Sequence, residues 1–385
     1  PVNYLDSAAT TLKPRVMIDA ITEYYSQNGA NIHRGKHRLS DEASNAYEAA
    51  RLAVADYICV QANEVVFTHN TTHALNIVAQ GLALTKSDLV IAGIDSHHSQ
   101  LLPWRQVATL RFIQTDDYGR IDLDHFQTLL ALRPKVIALT HCSNVTGVVH
   151  PVEQMIAMIR KQSDAIIVLD AAQSLPHGRL NLHTLGADFV AFSAHKMLGP
   201  TGLGFLYANR HRLDSLKPLQ FGGGTVDWVD TDGQISRRAP YHLEAGTPAI
   251  ASVIGAGASF RLLAGFDETA LRAHDRNLVN SLLSGAASRP YLKLIGPSDG
   301  ENRHAIGAFK FSDCVSVGEI ARLLSDAYGI MCRSGYMCAQ PFVGALAGGE
   351  ILRASAYLYN TTADIDALYQ ALDDLAECMG LPTIN

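Results

Sequence analysis

Between about residue 60 and residue 210 the chain alternates short apolar runs with longer stretches of helical periodicity. A strand with one wet face alternates apolar and polar residues, whereas a strand buried on both faces reads as a continuous apolar run. Runs of the second kind separated by helical patterns define a mostly parallel sheet covered by helices on both faces. The pattern predicts strands at 64–68, 89–94, 136–141, 166–170, 189–193 and 204–207. In such a sheet, reacting groups collect at the carboxyl ends of the strands.

Downstream the pattern changes. Residues 249–263, rich in Ala, Gly and Ser, read as a long helix joining two lobes, and 270–283, 317–328 and 363–379 carry helical periodicity around shorter strands. This predicts a smaller α+β lobe, with a large domain at 16–258 and a small one made of 259–385 together with 1–15. Residues 221–247 hold G-G-G, aspartates and aromatics without a period and read as loop or hairpin.

With 385 residues, 48% of them hydrophobic, the chain can bury a large core. A formal net charge of −6 supplies no basic field, which argues against nucleic acid as a partner. No apolar run is long enough to span a bilayer, so no membrane partner is expected. Cys59, Cys142, Cys314, Cys332, Cys338 and Cys378 are scattered, with no CxxC pair and no zinc-type cluster. No metal is expected, and reduced thiols in a cytoplasm are.

Two strand ends carry the chemistry. V-L-D-A-A-Q ends on Asp170 and Gln173, and A-F-S-A-H-K-M-L-G-P holds Ser193, His195 and Lys196. A carboxylate ending an apolar strand needs a cation or a donor, and Lys196 could simply be that cation. The alternative is pyridoxal 5'-phosphate, which needs a lysine for its Schiff base and a carboxylate to hold its ring nitrogen protonated. Its phosphate would suit Thr71 and Thr72 of H-N-T-T-H-A-L, where hydroxyls and free N–H groups meet at a helix start, although the same threonines could merely cap the helix. In D-S-H-H-S-Q, His97 could lie on the ring or be a hydrogen-bonded structural group. Asn144 in S-N-V-T-G could meet the ring hydroxyl or make a turn. Taken alone, Cys338 in R-S-G-Y-M-C-A-Q-P reads as an inert buried thiol before it reads as a nucleophile.

The ordered series L-D-S-A-A, N-I-H-R-G, T-T-H-A-L-N, H-H-S-Q-L-L-P-W, S-N-V-T-G, D-A-A-Q, S-A-H-K-M-L-G-P-T-G, G-G-G, E-A-G-T-P and R-S-G-Y-M-C-A-Q-P resembles the cysteine desulfurase and selenocysteine lyase family. These are class V aminotransferase-like pyridoxal phosphate enzymes, and the R-x-G-x-x-C-A stretch resembles their second group. The resemblance implies the fold type I architecture, α/β, with a seven-stranded, mostly parallel sheet. It implies conversion of L-cysteine to L-alanine, with the sulfur held on Cys338 as a persulfide and passed to an acceptor protein.

By the same resemblance, Lys196 is the Schiff-base lysine and the base for the Cα proton. Asp170 pairs with the ring nitrogen, Gln173 with the ring oxygen, and His97 stacks on the ring. Thr72, Ser193 and His195 hold the phosphate, joined by Thr247 of E-A-G-T-P from a second subunit, which implies a homodimer. Arg353 clamps the substrate carboxylate with Asn144 nearby, and His33 and Arg333 line the pocket. Family members commonly have histidine before the cysteine, whereas Tyr336 and Met337 precede it here, so the charge that activates Cys338 must come from elsewhere, with Arg333 the candidate. Alanine also replaces the usual glycine in D-A-A-Q and S-A-H-K, and Ser96 stands where an acid often precedes the paired histidines. Other readings are a selenocysteine lyase, another reaction of the superfamily in which Cys338 is incidental (β-lyase, epimerase or aminotransferase), and a binding protein that keeps the fold without turnover.

Overall fold

The structure is a computed structural model and describes residues 2–384. Its centre is a seven-stranded sheet in the spatial order Val65–Thr68, Gly204–Tyr207, Phe189–Ser193, Ile166–Asp170, Val136–Thr140, Leu89–Gly93 and Thr109–Ile113. All neighbours pair parallel except Gly204–Tyr207, which runs antiparallel to both of its own. The continuous apolar runs are therefore interior strands: every residue of Val136–Thr140, Phe189–Ser193 and Gly204–Tyr207 is buried.

The strand Thr109–Ile113 has no counterpart among the runs read from the sequence. It lies at the sheet edge, its exposure alternates and only Ile113 is fully buried, so its sequence, T-L-R-F-I, lacks the continuous apolar signature. Of the predicted strands, 166–170, 189–193 and 204–207 stand unchanged, and the other three are each one residue shorter, as Val65–Thr68, Leu89–Gly93 and Val136–Thr140.

A second, antiparallel sheet follows the order Lys293–Ile295, Ile306–Lys310, Ile351–Ser355, Arg333–Gly335. It packs with the helices Glu268–Ala287, Val317–Tyr328 and Thr362–Met379 around a separate core that includes Leu5. Asn3–Tyr4 pairs in parallel with Ile330–Met331, which ties the N-terminal segment to this lobe. The helix Ile250–Ala264 runs unbroken through residue 258 and packs Phe260 and Leu263 into the first core. The cores therefore part at the turn after that helix rather than between residues 258 and 259. Residues 221–247 contain an exposed hairpin, Val226–Val229 with Gln234–Ser236.

A carboxylate–imidazole contact joins the lobes. Asp275 on the helix Glu268–Ala287 meets His177 Nδ1 at 3.1 Å and His304 Nδ1 at 2.7 Å, and the two imidazoles stack with centroids 4.3 Å apart. Sequence reading expects no metal, and these three residues are the one His/Asp group among the described residues spaced to offer a cation ligands. Here each carboxylate oxygen is already taken by one imidazole nitrogen.

Candidate active site

The carboxyl ends of the parallel strands and the second sheet enclose a cavity of about 360 Å³. Lys196, Cys338, His97, Thr71, Thr72, Asn144, Asp170, Gln173, Ser193, His195, Arg333 and Arg353 all line it. Residues up to 345 positions apart in the chain, from Ala8 to Arg353, thus face one space.

One wall is built on a helix start. Asn70 caps the helix Thr71–Gly81 by accepting from the His73 N–H. The next residue, Thr71, gives its backbone N–H to Ser193 Oγ at 2.9 Å and shares a 2.5 Å hydroxyl contact with it. Thr72 Oγ1 lies 2.6 Å from Ser99 Oγ. Hydroxyls have capacity for more than one partner, and together with first-turn N–H groups they form a donor set for a dianion.

Opposite stands the polar floor. Asp170 Oδ1 accepts from the Ala172 N–H at 2.9 Å. Burial raises the Asp170 pKa, partly offset by that bond and by Lys196. Burial also lowers Lys196 to about 8, against the pull of Asp170, so the amine reaches its neutral, nucleophilic form far more readily than a surface lysine. No direct ion pair closes between the two, although each favours the other's charged form. Gln173 is held by a 2.7 Å bond from its Nε2 to the Ala8 carbonyl.

His97 caps the helix His98–Val107, its Nδ1 accepting from the Ser99 N–H at 3.1 Å. Burial, then the neighbouring Lys196, lowers its pKa to about 4, and the same causes lower His195 to about 4. A neutral imidazole that accepts at Nδ1 carries its proton on Nε2. Ser99, absent from the sequence-based selection, sets this tautomer while also touching Thr72. Its only signal in the sequence is H-H-S, and serine after a cap has many uses.

Arg353 enters from the second sheet, with its side chain 3% exposed. Its Nη1 donates to the Asn144 carbonyl at 2.9 Å and its Nη2 to Asp6 at 3.0 Å, while its buried Nε and the buried Oδ1 of Asn144 have no partner among the described residues. A buried guanidinium with spare donors is suited to a carboxylate.

Cys338 is exposed at the cavity's margin, and its loop is tightly held. His98 N–H donates to the Cys338 carbonyl at 2.9 Å, and Asn144 Nδ2 to that of Met337 at 2.8 Å. Met337 and Cys338 both have positive φ, 52° and 54°, an uncommon conformation for residues with a side chain, kept here by these two bonds. The cations lining the cavity are Lys196, Arg333 and Arg353, and Arg333 and Arg353 are both paired with Asp6. Cys142 also lines the cavity, but its buried thiol donates toward the Gly147 carbonyl and burial pushes its pKa far up. It is the inert thiol of the site, a role the sequence alone left open for Cys338.

Two expected site residues lie elsewhere. His33 pairs with Glu48 at 2.9 Å and packs edge-on against Tyr47 and Tyr241, so it does not line this cavity. Thr247 is exposed and away from the cavity of its own chain. The E-A-G-T-P segment is anchored instead through Glu244, whose carboxylate meets the buried Arg51 at 2.7 and 2.9 Å and accepts from the Phe67 N–H.

The donor set, the lysine with its lowered pKa and the buried carboxylate on a seven-stranded sheet define a fold type I pyridoxal phosphate enzyme. Comparison with known proteins agrees. The aminotransferase class-V profile matches residues 3–368. The "Probable cysteine desulfurase 2" of Mycobacterium leprae is 39% identical over 95% of this chain and 89% of its own. The "Probable cysteine desulfurase" of Halalkalibacterium halodurans is 37% identical over 99% and 94%. Among solved structures, the apo cysteine desulfurase of Thermococcus onnurineus NA1 superposes with a TM-score of 0.93 at 35% identity, covering 98% of this chain and 95% of that one. An Escherichia coli cysteine desulfurase in its S-sulfonic acid form gives 0.90 at 34% identity over the same shares. The chain belongs to the class-V aminotransferase family and, within it, to the cysteine desulfurases.

Proposed function

We propose that this chain is a pyridoxal phosphate-dependent cysteine desulfurase that takes sulfur from L-cysteine onto Cys338 and releases L-alanine. The observation that carries this reading is the single cavity in which Lys196, Asp170, Arg353 and Cys338 meet. The residues fit the cofactor: Lys196 for the covalent bond, Asp170 for the ring nitrogen, Gln173 for the ring oxygen, His97 for the ring face, and Thr71, Thr72, Ser193 and His195 for the phosphate. When bound, the cofactor supplies an electron sink for the bonds at the substrate's α-carbon.

The chain's own groups do the rest. Arg353 receives the substrate carboxylate through its free N–H donors beside Asn144, which orients the amino acid. Lys196, able to be neutral near pH 8, carries the Cα proton. Neutral His97 presents a donor Nε2–H rather than a fixed positive charge. Cys338 Sγ, as thiolate, forms the S–S bond while the substrate Cβ–S bond breaks; the electron pair left on carbon takes up a proton, which accounts for alanine and a Cys338 persulfide. The persulfide then passes to an acceptor protein. The working unit is a homodimer in which the exposed Thr247 reaches the partner's phosphate site.

The test is substitution with two readouts. Purified protein is expected to be yellow and to lose that absorbance in Lys196→Ala; colourless protein that cannot be reconstituted would sink the reading. Cys338→Ser is expected to keep the colour and lose alanine and sulfide formation from L-cysteine. Turnover of selenocysteine but not of cysteine by the unaltered protein would shift the assignment toward selenocysteine lyase, and full cysteine turnover in Cys338→Ser would refute the role of Cys338.

A further inference from the structure

Arg333 and Arg353 share one counter-ion, Asp6, that the chemistry above leaves without a role. The two arginines face each other in register on the adjacent strands Arg333–Gly335 and Ile351–Ser355. Asp6 bridges to Ser355 on the far side of Arg353, fixed by the Ser355 N–H to the Leu5 carbonyl at 2.7 Å and the Ser7 N–H to the Ser355 carbonyl at 3.1 Å. Its Oδ1 accepts from Arg353 Nη2 at 3.0 Å and its Oδ2 from Arg333 Nη2 at 2.9 Å, with Arg333 Nε 3.2 Å from each oxygen.

The two guanidinium groups differ in setting. Arg353 is buried, with its side chain 3% exposed, whereas that of Arg333 is 49% exposed at the cavity rim. A buried guanidinium can rotate about its last bonds unless its donors are tied. Here one Nη1 donor is tied to the Asn144 carbonyl and one Nη2 donor to Asp6, so the plane is set by two anchors. Of its five N–H groups, Nε–H and one on each terminal nitrogen remain. The Asn144 carbonyl holds one end only; without Asp6 the plane would pivot about that bond.

We propose that Asp6 is a positioning residue for carboxylate recognition: it fixes the plane of Arg353 so that the free donors meet the substrate carboxylate, and it holds Arg333 at the rim beside Cys338. Asp6 itself touches no substrate. This rests on the desulfurase reading for its substrate, but carboxylate binding can be measured without desulfuration. The charge on Asp6 and its reach are both required, because a neutral side chain accepts more weakly from a guanidinium and a longer one displaces it.

The test uses the holoenzyme with Asp6→Asn, Asp6→Ser and Asp6→Glu. L-Alanine, which has the carboxylate and amine but no sulfur, serves as the binding probe through the change it makes in cofactor absorbance. In the uncharged variants its Kd and the KM for L-cysteine are expected to rise together by about tenfold or more. The kcat is expected to change less than about threefold, and the resting absorbance to stay as in the unaltered protein. Asp6→Glu is expected to recover part of the affinity. Values of Kd and KM within about twofold of the unaltered protein in both uncharged variants would overturn the proposal. So would failure of both to fold, since Asp6 would then be a structural ion-pair residue. If the unaltered protein binds L-alanine but makes no sulfide from cysteine, the desulfurase reading fails while the role of Asp6 is still decided by the L-alanine Kd.

Discussion

Gly204→Ala is a one-carbon change, outside the cavity lining, that should weaken cofactor binding. Gly204 opens the antiparallel strand and pairs with both Thr68 and Ser193. A Cβ built on it would lie 2.4 Å from the Asn70 Cα and 2.5 Å from its carbonyl carbon. Carbon atoms in contact sit about 3.5–4.0 Å apart, so the Asn70 backbone must retreat by about 1 Å. Asn70 is not free to do this alone: it caps the helix Thr71–Gly81, and Thr71 is bonded to Ser193 through N–H and hydroxyl. The displacement therefore carries the proposed phosphate donors with it. Overpacking of this kind costs about 1–3 kcal/mol, and where the site bears that cost, cofactor affinity falls by about 5- to 150-fold. The assay is titration of the apo protein with pyridoxal 5'-phosphate, read by Schiff-base absorbance, beside a thermal melt. The band itself should be unshifted, because Lys196 and Asp170 stay in place. Affinity within twofold of the unaltered protein, even with a lower melting temperature, would refute the reasoning, since Asn70 would then have yielded without moving the donors.

Stability should fall as the pH drops below about 6.5. His97, His141 and His195 have folded-state pKa values lowered by burial to about 4, 3 and 4. A histidine so depressed binds its proton first in the unfolded chain, so stability is present above the unfolded pKa near 6.5 and is lost as pH falls toward the folded value. For His141 alone the loss at pH 5 is about 2 kcal/mol, and a urea-unfolding series on the apo protein from pH 7.5 to 5 that stayed flat would contradict it. Glu244→Ala would strip the buried Arg51, its side chain 1% exposed, of its two-bond partner and leave it only Glu48 and the Val65 carbonyl; the expected destabilisation is up to about 3–5 kcal/mol by chemical denaturation, and Arg51→Met with Glu244→Gln should recover much of it. Alkylation of the native apo protein should modify Cys338 and leave Cys142 unmodified, as mass spectrometry of the digested protein would show, because Cys142 is buried and its thiol is pushed away from ionisation.

The cavity-lining residues selected from the sequence lay inside motifs whose order resembled a family, and that resemblance, rather than spacing, carried Asn144, Gln173 and Arg353. His33 and Thr247 came by the same route, and the structure of one chain shows why motif order does not locate them. His33 is drawn to Glu48, Tyr47 and Tyr241, and Thr247 lies on an exposed segment. Asp6 was visible in L-D-S-A-A yet had no partner in the sequence, because Arg333 and Arg353 are more than 320 positions away and come beside it only through strand pairing. The edge strand Thr109–Ile113 is silent in the sequence for a local reason: one flank is open and its side chains alternate between half-burial and solvent, so little in its composition marks it as sheet.

The sequence by itself determined the alternation of buried strands and helices, and with it the sheet whose ends carry the site. It also held the residue types for the chemistry: a lysine, an acid, hydroxyls at a helix start, an arginine and a cysteine. Only the tertiary structure decided which cysteine is open to react, for Cys338 and Cys142 both line the cavity. One is exposed on a loop pinned through its own backbone, and the other is buried against a carbonyl. Only the tertiary structure, too, lowered Lys196 toward neutrality, since that depends on how much water and how much negative charge the fold leaves around the amine. Periodicity is a property of neighbours along the chain, and so can be read from it. Desolvation and the sharing of Asp6 between two arginines belong to groups that are neighbours only in space.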